Sequence, residues 1–213
     1  VGPDENSNAL VGKYGLELFY DNKLSGKPGT IQNKKIIKST SGEDLSFTID
    51  RNIQARAEEI LNDLVTKFEA AGGAVIVQEP KTGKILALGN SPSFDPNNYS
   101  QSKISSFLNN AVQSIYEPGS VFKVLTMAIG LDTGSITPDT TYYDDGTFEV
   151  RDRVLKNWDL KAHGTTNMTQ VIEHSINTGA AFAEKKIGHK NFYDYLQKFG
   201  FGKLTQIDLP GEL

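Results

Sequence analysis

The apolar positions fall into helix-like stripes separated by short extended runs. Ile53, Ala57, Ile60, Leu61, Leu64 and Phe68 recur at three- and four-residue intervals, the spacing of one helix face. Asp50 stands where an N-cap belongs, and Gly72-Gly73 stops the pattern. Leu45–Ile49 alternates as a strand does. Ala74–Val77 and Ile85–Leu88 are nearly unbroken apolar runs joined by Glu79-Pro80-Lys81-Thr82-Gly83, which predicts a hairpin covered on both faces. Ile104–Val112 predicts a short helix. Val121, Val124, Leu125, Ala128 and Ile129 outline a longer one, ending near Gly130 or Gly134. Thr169–His174 and Thr178–Ile187 read as helices flanking Ser175-Ile176-Asn177, and Asn191–Phe199 as a last helix closed by Gly200. The stretch 136–163 is irregular apart from a small exposed hairpin, Thr147–Val150 with Arg153–Leu155. Val1–Gly42 is polar and glycine-rich. Within it Tyr14–Tyr20 is a short helix or an extended packing segment, and Lys34–Lys38 a short edge strand.

The stretch Tyr116-Glu117-Pro118-Gly119-Ser120-Val121-Phe122-Lys123 carries the strongest chemical signal. Pro118 and Gly119 break what precedes them, so Ser120 falls at a helix start, where free N–H groups and the dipole favour negative charge. Lys123 lies one turn on, on the same face. A lysine in an apolar cleft loses proton affinity and can act as the base for a serine nucleophile. The plainer reading is a serine cap and a lysine reaching out to solvent. Ser100-Gln101-Ser102-Lys103 repeats the spacing, but follows Pro92, Pro96, Asn97 and Asn98 and opens no sustained apolar face. Ser175 and Asn177, in a break between helices, can turn a hydroxyl and an amide toward one cleft, or serve only as helix caps.

Composition narrows the class. The 213 residues are 38% hydrophobic and 23% charged with a formal net charge of −4, which describes a globular chain and excludes the basic face of a nucleic-acid binder. There is no cysteine, and the three histidines fall at no metal-ligand spacing. Neither a metal nor a cofactor is expected. No apolar run reaches the roughly 18–20 residues of a membrane span. Two motifs mislead. Lys81-Thr82-Gly83 lies in a hairpin turn, ahead of both serine motifs. Asp132-Thr133-Gly134-Ser135 spells an aspartic-protease signature but follows a helix, where the glycine serves as a C-cap.

Ser120-x-x-Lys123 and Ser175-x-Asn177, in this order and each at a helix boundary, make the chain resemble the transpeptidase domain of class B penicillin-binding proteins. The resemblance extends through Tyr14-Gly15-Leu16-Glu17, Thr48-Ile49-Asp50-x-Asn52-Ile53-Gln54, Pro80-Lys81-Thr82-Gly83-x-Ile85-Leu86-Ala87 and Pro92-Ser93-Phe94-Asp95-Pro96-Asn97. It continues to Phe199-Gly200-Phe201-Gly202 and Ile207-Asp208-Leu209-Pro210-Gly211-Glu212. Ile176 departs from the serine common in the family. The resemblance implies an α+β, serine β-lactamase-like fold, here the helical part plus the N-terminal hairpin of the core antiparallel sheet. Residues 1–41 would be a linker or pedestal and 42–213 the N-terminal part of the catalytic domain, with the later strand that carries Lys-Thr-Gly not included.

By the same resemblance, the parent cross-links peptidoglycan stem peptides through a serine acyl-enzyme and is trapped by β-lactam antibiotics. Ser120 would be the nucleophile and Lys123 its base. Ser175 would relay a proton to the leaving amine, and Asn177 would hold the substrate amide or the lysine. A single-pass anchor would hold the catalytic domain on the outer, periplasmic face of the cell membrane, beside a SEDS-type glycosyltransferase and other cell-wall machinery. The alternatives are a β-lactam sensor or β-lactamase-like relative, distinguished by its deacylation rate, and a non-catalytic binding or scaffold piece.

Overall fold

The computed structural model describes residues 2–3, 10–32 and 35–213. The chain divides into two compact units, 1–115 with 206–213, and 116–205.

In the first unit, β1 (Gly2–Pro3) pairs with β2 (Leu10–Val11), and α1 (Gly15–Phe19) and α2 (Asp21–Leu24) follow. The Tyr14–Tyr20 segment is therefore helical. β3 (Thr30–Gln32) pairs with β4 (Lys35–Ile37), the expected edge strand; Lys34 lies outside the described residues. Leu45–Ile49 is not a strand. It is irregular, and Thr48 Oγ1 donates to Ile85 O (2.6 Å) and Asp50 N to Leu86 O (2.9 Å). Asp50 then caps α3 (Arg51–Lys67), its carboxylate accepting from Asn52 N and Ile53 N.

α3 lies on one face of the hairpin formed by β5 (Gly73–Gln78) and β6 (Ile85–Ser91), burying Ala57 and Leu61. The other face stays open: burial alternates along β5 and Ile76 is 51% exposed. A continuous apolar run thus does not mean two covered faces here, because one helix covers only one side of a two-stranded sheet. The helix expected at Ile104–Val112 is two pieces, a 3-10 turn at Ile104–Phe107 and α4 (Asn110–Gln113), with extended backbone at Leu108 and Asn109 between them.

The second unit opens with a 3-10 turn, Gly119–Phe122, that runs directly into α5 (Lys123–Asp132). The antiparallel pair of β7 (Thr141–Asp144) and β10 (Gly164–Asn167) brackets the hairpin of β8 (Thr147–Val150) and β9 (Arg153–Lys156). Then come α6 (Met168–Glu173), α7 (Asn177–Ile187) and α8 (His189–Lys198), with Gly200 at φ +93° beyond the last. Asn167 and Gln170 close a full capping box on α6. The core gathers Met127, Ile136, Met168, Val171, Ile176 and Ala183, with the Tyr142 and Phe182 rings stacked against it at 5.0 Å. α5 buries Lys123, Thr126, Met127, Ile129 and Gly130, while Val121 and Val124 are exposed. Its inward face is therefore rotated from the purely apolar stripe, and this rotation brings a lysine inside.

Candidate active site

Two breaks in the helices build the site. The first is Pro118-Gly119. Gly119 takes φ +60°, a left-handed conformation that glycine adopts without a Cβ penalty. Ser120 makes no side-chain cap; its hydroxyl points instead toward Lys123 and Ser175. The second break separates α6 from α7. Ser175 takes φ +54°, uncommon for a residue with a Cβ and costing about 1 kcal/mol or more. The turn is held by Ser175 N donating to Ile172 O (3.2 Å) and Ile176 N to Val171 O (2.9 Å). It aims both the carbonyl and the hydroxyl of Ser175 at the lysine.

Lys123 Nζ is the hub. It lies 2.6 Å from Ser175 O, 2.7 Å from Asn177 Oδ1, 3.0 Å from Ser175 Oγ and 3.2 Å from Ser120 Oγ. Ser175 Oγ lies 2.8 Å from Ser120 Oγ. Lys123 is only 8% exposed, and none of the ion pairs among the described residues includes it. Burial without a counter-charge disfavours the ammonium and lowers the pKa below the usual lysine value. The Ser175 carbonyl and Asn177 Oδ1 can only accept, so together they occupy two N–H bonds of the amine. In the neutral amine the remaining position is the lone pair, and the two hydroxyls lie on that side. The amide is oriented by Asn177 Nδ2, which donates to Lys156 O (2.9 Å) and leaves Oδ1 facing the lysine.

A buried polar group stands behind Asn177. Asn157, 1% exposed, accepts at Oδ1 from the backbone N–H of Asn177 (3.1 Å) and Thr178 (3.2 Å), the first two of α7. Ile176, the formal N-cap residue, supplies no side-chain cap, so Asn157 caps α7 from a distant loop. Its Nδ2 donates to Asp144 Oδ2 (2.8 Å) and Lys161 O (2.9 Å). Thr178 Oγ1 donates to Asp144 Oδ1 (2.8 Å).

Burial works against the Asp144 charge. Hydrogen bonds from Thr178, His163 and the Gly146 and His163 backbone outweigh it and hold the carboxyl below its ordinary value. His163 is raised, first by its hydrogen bond to Asp144 (2.7 Å), with Asp159 (3.1 Å) on its other nitrogen. Burial pushes Tyr142, 2.9 Å from Thr178 Oγ1, up to about 12.

All four residues singled out in the sequence, Ser120, Lys123, Ser175 and Asn177, thus meet in one cluster. Ser100 and Lys103 are exposed and belong to the first unit, not the unit that holds the cluster. Lys81-Thr82-Gly83 is turn chemistry: Thr82 Oγ1 bonds the Glu79 carboxylate, and Gly83 N donates to Glu79 O (2.8 Å) at φ +76°. Asp132-Thr133-Gly134-Ser135 is a helix end, with Gly134 at φ +67° and Ser135 N donating to Gly130 O (2.9 Å). Asp144, Asn157 and His163 were missed. Asp144 ends β7, and Asn157 and His163 lie between β9 and β10, all in a stretch whose sequence reads as irregular. Among the described residues no group of three His, Asp or Glu is placed to share a metal ion.

A buried lysine shared by two serines and an asparagine, on helices packed beside small antiparallel pairs, defines the serine enzymes that react with penicillin. Residues 73–213 match the penicillin binding protein transpeptidase domain, and the chain belongs to that family, in its class B branch. It is similar to stage V sporulation protein D of Bacillus subtilis, 32% identical over 94% of this chain and 33% of the relative. It is similar also to peptidoglycan D,D-transpeptidase MrdA of Escherichia coli, 30% identical over 95% of this chain and 35% of the relative. Among solved structures, penicillin binding protein 3 of Mycobacterium tuberculosis superposes with a TM-score of 0.83 at 28% identity, covering all of this chain and 46% of the other. The chain thus spans about a third of the length of these curated relatives.

Proposed function

We propose that this chain carries the nucleophile and base of a peptidoglycan D,D-transpeptidase. The observation that supports it is the lysine amine held by Ser175 O and Asn177 Oδ1 with its remaining position on the Ser120 and Ser175 hydroxyls. Ser120 Oγ attacks the carbonyl before a terminal D-alanine of a stem peptide. Its proton passes to Lys123 Nζ, directly or through Ser175, whose hydroxyl bridges the two. The Ser120 backbone N–H, in the first turn of the helix, forms part of the oxyanion site. Ser175 then delivers the proton to the departing D-alanine amine. Asn177 keeps the lysine in place. The acyl group on Ser120 passes to an amine of a neighbouring stem.

A β-lactam acylates the same serine; a structural neighbour of this chain is described as complexed with aztreonam. Residues 1–41 serve as a linker to the catalytic domain of 42–213. By family resemblance the full-length protein works at the outer face of the cell membrane beside a SEDS-type glycosyltransferase. No helix among the described residues is long and apolar enough to cross a membrane.

The test is mass spectrometry of the full-length protein after penicillin treatment. The adduct is expected on Ser120, lost in Ser120→Ala and kept in Ser100→Ala. An adduct elsewhere, or equal labelling of both variants, refutes the assignment. Rapid turnover of the adduct would show a β-lactamase instead.

A further inference from the structure

Beside Ser175, within the second unit, opens a cleft of about 420 Å³ lined by Trp158, Asp159, His163, Glu173, His174 and Ser175. Three features give it a chemical preference. Trp158 is 70% exposed yet fixed, because its Nε1 donates to His174 O (3.0 Å); the indole is thus an oriented aromatic wall. Glu173 is exposed, at the end of α6, with no hydrogen bond or ion pair among the described residues. Asp159 faces the same space but already bonds His163, which also bonds Asp144. The remaining carboxylate and the indole suit a primary ammonium on an aliphatic chain. The same carboxylate disfavours the terminal carboxylate of a donor peptide.

We propose that this cleft seats the acceptor, the amine-bearing side chain of the second stem peptide. This rests on the serine acyl-enzyme reading given above. Ser175, whose hydroxyl is 2.8 Å from Ser120 Oγ, lines the cleft, so an amine leaving the carboxylate is next to the group that takes its proton. The ammonium first gives one proton through Ser175 to the neutral Lys123 amine; its nitrogen then forms a bond to the acyl carbon, and the bond from that carbon to Ser120 Oγ breaks. The second proton passes through Ser175 to Ser120 Oγ and restores the hydroxyl. Trp158 and Glu173 hold the acceptor. They hold its nitrogen only before it attacks, so their contribution appears only in the second half of the reaction.

The experiment uses the full-length protein, an acyl-D-alanyl thioester as donor and a diamino-acid amide as acceptor. It reads the ratio of aminolysis to hydrolysis of the acyl-enzyme, which is independent of how fast that acyl-enzyme forms. Trp158→Ala and Glu173→Gln are expected to lower the ratio about fivefold to tenfold, the scale of a partly desolvated cation contact. Trp158→Phe, which keeps a ring, is expected to recover at least half of the loss. For Glu173→Gln the difference from the unsubstituted protein should shrink at high salt. Ratios within twofold of the unsubstituted protein in both Trp158→Ala and Glu173→Gln overturn the acceptor site while leaving the acyl-enzyme intact. Absence of any acyl-enzyme in the unsubstituted protein overturns both readings.

Discussion

Asn157→Ala tests whether the site depends on a cap supplied from outside its own helix. The asparagine is 1% exposed and bonds Asn177 N, Thr178 N, Asp144 and Lys161 O at 2.8–3.2 Å. Alanine leaves two N–H groups at the start of α7, one carboxylate oxygen and the Lys161 carbonyl without this partner. An unsatisfied buried group costs about 1–3 kcal/mol and a lost cap typically about 1 kcal/mol, so about 3 kcal/mol of destabilisation is expected after partial rehydration. The catalytic effect is separate. Asn177 Oδ1 reaches Lys123 Nζ only while the first turn of α7 is held, so acylation should fall at least about tenfold, or 1.4 kcal/mol of barrier. Denaturant unfolding of the full-length protein measures the first quantity and the rate of fluorescent-penicillin labelling the second. Asn157→Ala with less than about 1 kcal/mol of destabilisation and labelling within twofold of the unsubstituted protein would refute the remote cap.

Lys123→Arg keeps the charge but cannot release a proton at ordinary pH, so labelling should fall more than about tenfold. In the unsubstituted protein the labelling rate should rise with pH through the lowered Lys123 pKa and level off above it. A pH-independent rate would argue against the amine as base. The same shift disfavours folding below the folded-state pKa, and that penalty is relieved as pH rises from there toward the usual lysine value. Gly179→Ala would drive a Cβ into Cγ2 of Val171 and to 2.9 Å from Tyr142 Oη. It should destabilise by about 2 kcal/mol in denaturant unfolding, and a neutral outcome would show that α7 can shift off the core.

The serine and lysine were legible because the evidence for them is local. A break at Pro118-Gly119 and a three-residue spacing put both groups on one helix face in any fold that keeps the helix. The misleading motifs were legible for the same reason: the Lys81-Thr82-Gly83 turn and the Gly134 helix end are set by residues within one or two turns. Periodicity gave the helices of the second unit nearly to their ends, and it marked Thr147–Val150 with Arg153–Leu155 as a hairpin, one residue short of the end of β9. It erred at Leu45–Ile49 and at the open face of β5, because whether an apolar run is paired or covered depends on what packs beside it.

What no local pattern contained was the burial of Lys123. Its environment is made by Ser175 and Asn177, more than fifty residues along, and by an asparagine in the loop after β9 that caps a helix twenty residues further on. The sequence determined which groups carry the chemistry. Only the tertiary structure removed the lysine from water, placed two obligate acceptors on its amine and lowered its pKa, because desolvation and hydrogen-bond saturation arise from what folding brings around a residue.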